Sequence, residues 1–228
     1  MITVEKLEKI YGKAKQPVLK NLSFHVPRGN TLSIIGPSGC GKSTLLYILA
    51  GLRHFTDGKV LVDGALVTGP RKKTSFIFQD FGLLPWKTAM GNVCLGMNIN
   101  GVSKPERVHK AKTLFSDLGI AEKTNSYPIE LSGGERQRVA LAGALAMDPD
   151  LILMDEPFSA LDALTREKLQ DIILAKWKER SFTSVTVTHN VEEAVYLGKE
   201  ILILGQKPAN VEAVIKNPGF GTDGFRLS

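Results

Sequence analysis

"TLSIIGPSGCGKSTLLYILAGL", residues 31–52, passes from a short β-branched apolar run, Leu32 to Ile35, through a glycine-rich loop into leucines at helical spacing. That order reads as strand, loop, helix. The loop itself, Gly36-Pro37-Ser38-Gly39-Cys40-Gly41-Lys42-Ser43-Thr44, fits the pattern G-x-x-x-x-G-K-[ST] between a strand and a helix, the setting the pattern requires. Its glycines let backbone amides wrap a phosphate chain. Lys42 is placed to neutralise the β- and γ-phosphates of a nucleotide, and the Ser43 hydroxyl to complete the coordination of Mg2+.

A second stretch supplies the other half of such a site. In Leu151-Ile152-Leu153-Met154-Asp155-Glu156 four apolar residues predict a buried strand, and two carboxylates follow at its C-terminal end, the end at which open α/β sheets bind ligands. Asp155 would hold Mg2+ directly or through a water. Glu156, next along the chain, is placed to polarise an attacking water as general base.

Further strand-like runs are Val60 to Val62, Thr74 to Phe78, Thr183 to Thr188 and Glu200 to Leu204. The first forty residues and the segment after Gly58 read as antiparallel, with turn signals such as "VPRGN" and "VDGA". From Asp80 to about Asp148 strand-like runs vanish. There "SKPERVHKAKTLFSDLGI" offers Ser103 as a cap, an early Pro105, and Val108, Ala111, Leu114, Phe115 and Leu118 at helical spacing. The organisation expected is one domain: an α/β core over 1–79 and 149–215, a helical insertion over 80–148, and a polar tail, 216–228, that frays.

Composition narrows the class. A chain of 228 residues buries a full core. No apolar run approaches the ~18 residues of a membrane span, and "MITVEKLEKIYGK" lacks the apolar centre of a signal peptide, so a cytoplasmic chain is expected. The net charge of +6 permits contact with nucleic acid or an anionic membrane, but the basic residues are spread along the chain. The one cluster, Arg71-Lys72-Lys73, reads as a solvated turn, and no nucleic acid partner is expected. Cys40 and Cys94 lack metal-ligand spacing and read as free thiols.

"LSGGERQRVA", residues 131–140, poses a separate question. Ser132 and Glu135 form a capping box, but Gly133 and Gly134 would each cost the helix roughly 1 kcal/mol against alanine. Something must approach that backbone closely, and a helix N-terminus of bare amides suits an anion.

Taken in order, "GPSGCGKST", "LSGGERQRVA", "LILMDEP", "SALD" and "THN" closely resemble the nucleotide-binding subunit of ATP-binding cassette transporters, over about residues 2 to 215. The resemblance implies a P-loop NTPase core of α/β class with an N-terminal antiparallel β subdomain and an inserted helical subdomain. It implies an ATPase using ATP and Mg2+, with two subunits packed head to tail so that Ser132, Gly133 and Gly134 of one bind the nucleotide held in the other's P-loop. Tyr11, in "EKIYGK", resembles the aromatic that stacks on adenine. Gln79 resembles the glutamine that touches Mg2+ and the water and links the site to the membrane subunit. His189 resembles the switch histidine that contacts the γ-phosphate, and Asp162, in "SALD", the residue coupling the two sites across the dimer. His25, His54 and His109 match nothing.

Three departures stand out. Asn190 replaces the usual aspartate after the histidine, Asn30 replaces a common glutamate and reads as a surface change, and Cys40 lies within the P-loop, which implies inactivation by thiol reagents and protection by ATP. The resemblance also implies integral-membrane permease subunits as partners, indirectly a solute-binding protein, and a peripheral position on the cytoplasmic face of the membrane. The chain ends soon after the last expected core strand, without room for the extra domain of sugar-type import subunits, which suggests a minimal importer subunit. "QDFGLLPWKTAMGNV", residues 79–93, is similar to the nitrate, sulfonate, taurine and bicarbonate import branch and to relatives importing pyrimidine precursors, with Trp86 a candidate for gripping the permease. Two other readings are a cassette ATPase acting off the membrane in repair, translation or cluster assembly, and an inactive ATP-binding partner. The first lacks a visible coiled-coil insertion or tandem cassette, and Glu156 and His189 oppose the second.

Overall fold

The glycine-rich loop leaves the C-terminal end of β3 (Thr31–Ile35), which lies inside a six-stranded sheet. The fold comes from a computed structural model that describes residues 1–12 and 16–221. In chain order the other strands are β1 (Ile2–Lys9), β2 (Leu19–Val26), β4 (Asp57–Val62), β5 (Ala65–Leu66), β6 (Thr74–Ile77), β7 (Leu151–Asp155), β8 (Thr183–Val187), β9 (Glu200–Leu204) and β10 (Val211–Lys216). The helices are α1 (Lys42–Leu49), α2 (Ala89–Ile99), α3 (Lys104–Asp117), α4 (Gly133–Ala146), α5 (Ala163–Arg180) and α6 (Val191–Leu197).

The large sheet runs β10-β9-β3-β8-β7-β6, with β6, β7, β8, β3 and β9 parallel and β10 antiparallel at the edge. Strands β7 and β8 are buried throughout, which is why their sequences read as continuous rather than alternating runs. Strand β7 is also a wall between two cores. Leu151 and Leu153 pack with α1 and the N-terminal sheet, whereas Ile152 and Met154 pack with the helices of the insertion, as the two-residue period of a strand requires. One strand thus holds both halves of the molecule together.

The expected antiparallel part is a four-stranded sheet, β2-β1-β4-β5, but it does not take in all of the first forty residues, because β3 pairs in parallel with β8 and β9. Its β4–β5 hairpin turns on Asp63 and Gly64, with φ of 52° and 77°, the paired positive values of a tight two-residue hairpin turn. The insertion is helical: α2, α3 and α4 pack on one another through Val93, Ala111, Leu114, Phe115 and Leu145. Ser103 occupies the N-cap of α3 but makes no capping hydrogen bond there, while Pro105 sits in the first turn as expected.

Three expectations need correcting, and one strand went unread. Asn30 is buried: it leads directly into β3, which lies between β8 and β9, its carbonyl accepts from Ser184 N at 3.1 Å, and its amide donates to Glu200 Oε1 at 3.4 Å. Arg71 is no mere solvated residue. Its guanidinium grips both oxygens of Asp150, at 3.1 and 3.2 Å, in the bidentate geometry suited to that pair, and so ties the approach to β6 to the approach to β7. Strand β10 was not anticipated, because most of its residues are exposed and it shows no buried stripe. The start of the tail is packed: the Phe220 ring lies edge-on to Trp177 at 5.1 Å and Asn217 bonds the carbonyls of Val195 and Gly198. Residues 222–228, the rest of the stretch expected to fray, lie outside the described residues. Among the described residues no helix is long and apolar enough to cross a membrane.

Candidate active site

The loop's glycines serve different needs. Gly41 has φ 120°, and a Cβ there would stand 2.7 Å from Leu19 Cδ2. Gly39 has φ 73° with nothing within 4 Å of an added Cβ, so its conformation alone asks for glycine and its outer side is open. Helix α1 starts at Lys42 with no side-chain cap, which leaves its first amides for an anion. Lys42 is only 6% exposed, and its ammonium donates to the carbonyls of Gly36 at 2.8 Å and Pro37 at 3.0 Å. A buried cation is thereby stored inside the loop with partners that a phosphate could replace. The Tyr11 hydroxyl lies 3.1 Å from Thr44 Oγ1, joining the first strand's end to the loop.

Cys40 is 1% exposed, its sulfur packed beneath Gly36, so the expected inactivation by a thiol reagent would require the loop to open.

Ser43 Oγ donates to Asp155 Oδ1 at 3.0 Å, across 112 residues of sequence. Burial pushes the Asp155 carboxyl above the usual carboxylate range, and the bond from Ser43 opposes that shift. A hydroxyl and a carboxylate side by side are hard oxygen donors that fit Mg2+. Among the described residues there is no group of three His, Cys, Asp or Glu side chains able to hold a metal ion. A magnesium ion here would therefore rely on phosphate oxygens and water for its other ligands, as it does in nucleotide sites generally.

Glu156 follows with a φ of 44°, a strained value that costs on the order of 1–3 kcal/mol. The turn is held by Glu156 N on the Val187 carbonyl at 2.9 Å, and by Ser159, whose amide and hydroxyl both donate to the Glu156 carbonyl. It aims Glu156 Oε2 at His189 Nδ1, 3.2 Å away, and at Gln79 Nε2, 3.5 Å away. The ends of β6, β7 and β8 thus gather three of the expected residues. Asn190 holds the histidine's turn: its side chain caps α6 by accepting from Glu193 N at 3.1 Å, as an aspartate would.

The capping box forms as expected, with Ser132 N donating to Glu135 Oε2 at 2.8 Å and Glu135 N to Ser132 Oγ at 3.3 Å. Hydrogen bonding from the Ser132 backbone, helped by Lys123, holds the Glu135 carboxyl below its ordinary value. The two glycines turn out to differ. A Cβ on Gly134 would meet Thr165 Cγ2 at 2.5 Å, so packing against α5 already demands glycine there. A Cβ on Gly133 would meet nothing closer than Leu161 Cδ2 at 3.5 Å; the fold does not explain it. Gly133 lines a cleft of about 330 Å³ with Ser132, Arg138, Asp162 and Thr165, and no residue of the phosphate loop shares that cleft. Asp162 caps α5 through Thr165 N at 3.0 Å. Gly134→Ala is expected to lower the melting temperature by several degrees, since overpacking costs roughly 1–3 kcal/mol. Gly133→Ala should hold or raise it, and differential scanning calorimetry of both variants checks the contrast.

Two residues escaped the sequence reading. Tyr47, on α1, stacks on Phe76 at 5.4 Å, and burial, then the neighbouring Asp155 charge, pushes its hydroxyl pKa up. The Arg53 guanidinium lies over both Tyr11 and Tyr47, at 5.5 and 5.7 Å from the ring centroids. An aromatic among leucines reads as core, which hid Tyr47. Beyond Gln79, Phe78, Phe81, Leu83 and Met147 line a groove of about 270 Å³ between β6 and the helices α2 and α4, and Trp86 nearby is 71% exposed.

Comparison with known proteins decides the family. A family profile described as ABC transporter matches residues 19–159. The chain belongs to the ABC transporter family. This cassette is 43% identical over 217 residues to an uncharacterised ABC transporter ATP-binding protein of Methanocaldococcus jannaschii, covering 94% of this chain and 81% of that one. It is 43% identical over 197 residues to the taurine import ATP-binding protein of Pseudomonas aeruginosa, covering 86% and 75%. To the aliphatic sulfonates import ATP-binding protein of Bacillus cereus it is 40% identical over 218 residues, covering 95% and 86%. Relatives of this kind bear out the branch read from Leu83-Leu84-Pro85-Trp86. The ATP-binding cassette MJ0796, solved as a dimer bound to ADP and Pi in a post-hydrolysis state, superposes with a TM-score of 0.86 at 34% identity, covering 96% of this cassette and all of that chain. This cassette is an ATP-binding subunit and an ATPase whose hydrolysis is coupled to transport.

Proposed function

We propose that this cassette energises an importer of small sulfonate-type anions, working as a homodimer on the cytoplasmic face of permease subunits to which a solute-binding protein delivers cargo. The cargo class rests on the relatives named for taurine and aliphatic sulfonates, and the dimer on the head-to-tail packing the family resemblance implies, with a similar cassette solved as a dimer. The observation that carries the mechanism is the convergence of His189 and Gln79 on Glu156 Oε2, beside the Ser43–Asp155 pair.

In this reading the bare amides of α1 and the loop residues Gly36 to Thr44 cradle the phosphates, with Lys42 exchanging its two loop carbonyls for phosphate oxygens. Ser43, Asp155 and Gln79 hold Mg2+, which when bound neutralises charge on the β- and γ-phosphates. Glu156 takes the proton of the attacking water. His189 holds that carboxylate and the γ-phosphate in register. Tyr11, whose ring already has the Lys9 and Arg53 cations 4.9 and 5.5 Å from its centroid, stacks on adenine. Ser132 and Gly133 close on the partner's γ-phosphate, and Asp162 borders that contact; Gly134 admits the approach while packing on α5. Motion passes from Gln79 through the adjoining groove and Trp86 to a permease helix.

The test is reconstitution of the cassette with its permease and binding protein in liposomes. Taurine or a short alkanesulfonate should stimulate ATP hydrolysis severalfold. Stimulation by an unrelated solute and by no sulfonate would discard the cargo assignment. Failure of the permease to bind or stimulate the cassette would discard the transporter assembly.

A further inference from the structure

Arg166, in the first turns of α5, and Glu193, in the first turn of α6, line the cavity beside Glu156 and His189 rather than the phosphate loop, yet they join the two turns that flank the hydrolytic carboxylate. Arg166 Nη2 donates to the Leu161 carbonyl at 3.1 Å, within the Ser159-to-Asp162 turn. Its Nε lies 3.5 Å from Glu193 Oε1, an ion pair without hydrogen-bond geometry. The other Glu193 oxygen accepts from Thr188 Oγ1 at 2.6 Å, and Asn190 N donates to that same hydroxyl at 3.0 Å. The residues on both sides of His189 are therefore fastened to Glu193. His189 meets Glu156, and Glu156 returns to the first turn through Ser159. The contacts close a ring.

Helix capping does not account for this arrangement. Asn190 already caps α6, and the exposed Glu192 already supplies negative charge to its first turn. Glu193 is instead 5% exposed, a costly place for a carboxylate unless its partners are fixed. We infer that Arg166 and Glu193 are positioning residues for hydrolysis, locking the turn that carries His189 to the Ser159-to-Asp162 turn. This rests on the proposed roles of Glu156 and His189. Because Asp162 also lines the cleft beside Ser132 and Gly133, the lock ties the histidine of one site to the surface that meets the partner's nucleotide.

Glu193→Gln keeps the shape and an acceptor for Thr188 but removes the charge facing Arg166. Turnover, KM for ATP and binding of trinitrophenyl-ATP are measured for that variant, for Arg166→Lys, for His189→Ala, and for each combined with His189→Ala. Glu193→Gln should lower kcat about tenfold with KM and analogue binding within about twofold, and the double variants should be no slower than His189→Ala alone, since residues acting as one unit are non-additive. An unchanged kcat in Glu193→Gln, a raised KM with kcat kept, or losses that multiply independently would each overturn the inference. Normal turnover in His189→Ala would instead remove the reading on which it rests. If Glu193→Gln does not fold, Arg166→Lys, at the more exposed partner, decides by the same non-additivity.

Discussion

Lys42→Ala is expected to abolish measurable ATP turnover and to weaken nucleotide binding by at least about tenfold, the loss of one charge-assisted contact worth roughly 1.5–3 kcal/mol. In the free loop the ammonium already sits where phosphates would come, held by Gly36 O and Pro37 O. Alanine leaves those carbonyls aimed at the incoming anion with no cation between them, so binding loses an attraction and gains a repulsion. Turnover loses more, because charge builds on the transferring phosphoryl group in the transition state, and a missing donor there costs on the order of 100- to 1000-fold. The fold should survive, since the variant also relieves the burial of a charge. Phosphate release, equilibrium nucleotide binding and the melting temperature separate these effects. Lys42→Ala turning over within tenfold of the parent protein would show that the loop does not hold the reacting phosphates.

The parts of this site that could be read from sequence are those where chemistry is local. The phosphate loop and the Asp155-Glu156 pair each declare their strand and their turn within ten residues. Gln79 and His189 were legible only through the family resemblance, since a glutamine or histidine at a strand end is by itself unremarkable; the structure brings both to Glu156 because parallel strands present their C-terminal ends along one edge. Asn30 was misread because the start of a central strand and a surface turn look alike until the neighbours β8 and β9 are placed. Gly134 was misread for a related reason: the demand for glycine comes from Thr165 on α5, thirty-one residues on. The Arg71–Asp150 and Arg166–Glu193 pairs leave no trace in spacing at all, since long-range partners follow from the packing of whole elements. Sequence therefore pointed to the candidate reacting groups more readily than to the side chains that hold them.

Glu156→Gln should remove hydrolysis while leaving ATP binding intact, and with MgATP it should double the solution mass from the 24.9 kDa of one chain. Glutamine preserves an oxygen for His189 to hold but cannot take a proton from water, and loss of a general base costs on the order of 100- to 10,000-fold. Closure and cleavage are then uncoupled. ATP that binds the closed dimer more tightly than the open chains accumulates the dimer by mass action, and nothing removes the γ-phosphate that holds it. Adding Ser132→Arg tests the other side of the contact: the large cation fills the cleft between Gly133 and Asp162, and the dimer should disappear. Because that change also breaks the capping box, Ser132→Ala serves as its control, costing about 1 kcal/mol of helix stability but leaving the cleft open, so a weakened dimer should persist. A Glu156→Gln protein that binds ATP yet stays monomeric would mean that closure needs the permease or a different second cassette. Equal dimerisation by the arginine and alanine variants would mean that the cleft beside Gly133 faces something other than a partner's nucleotide, and its unexplained glycine would then need another ligand.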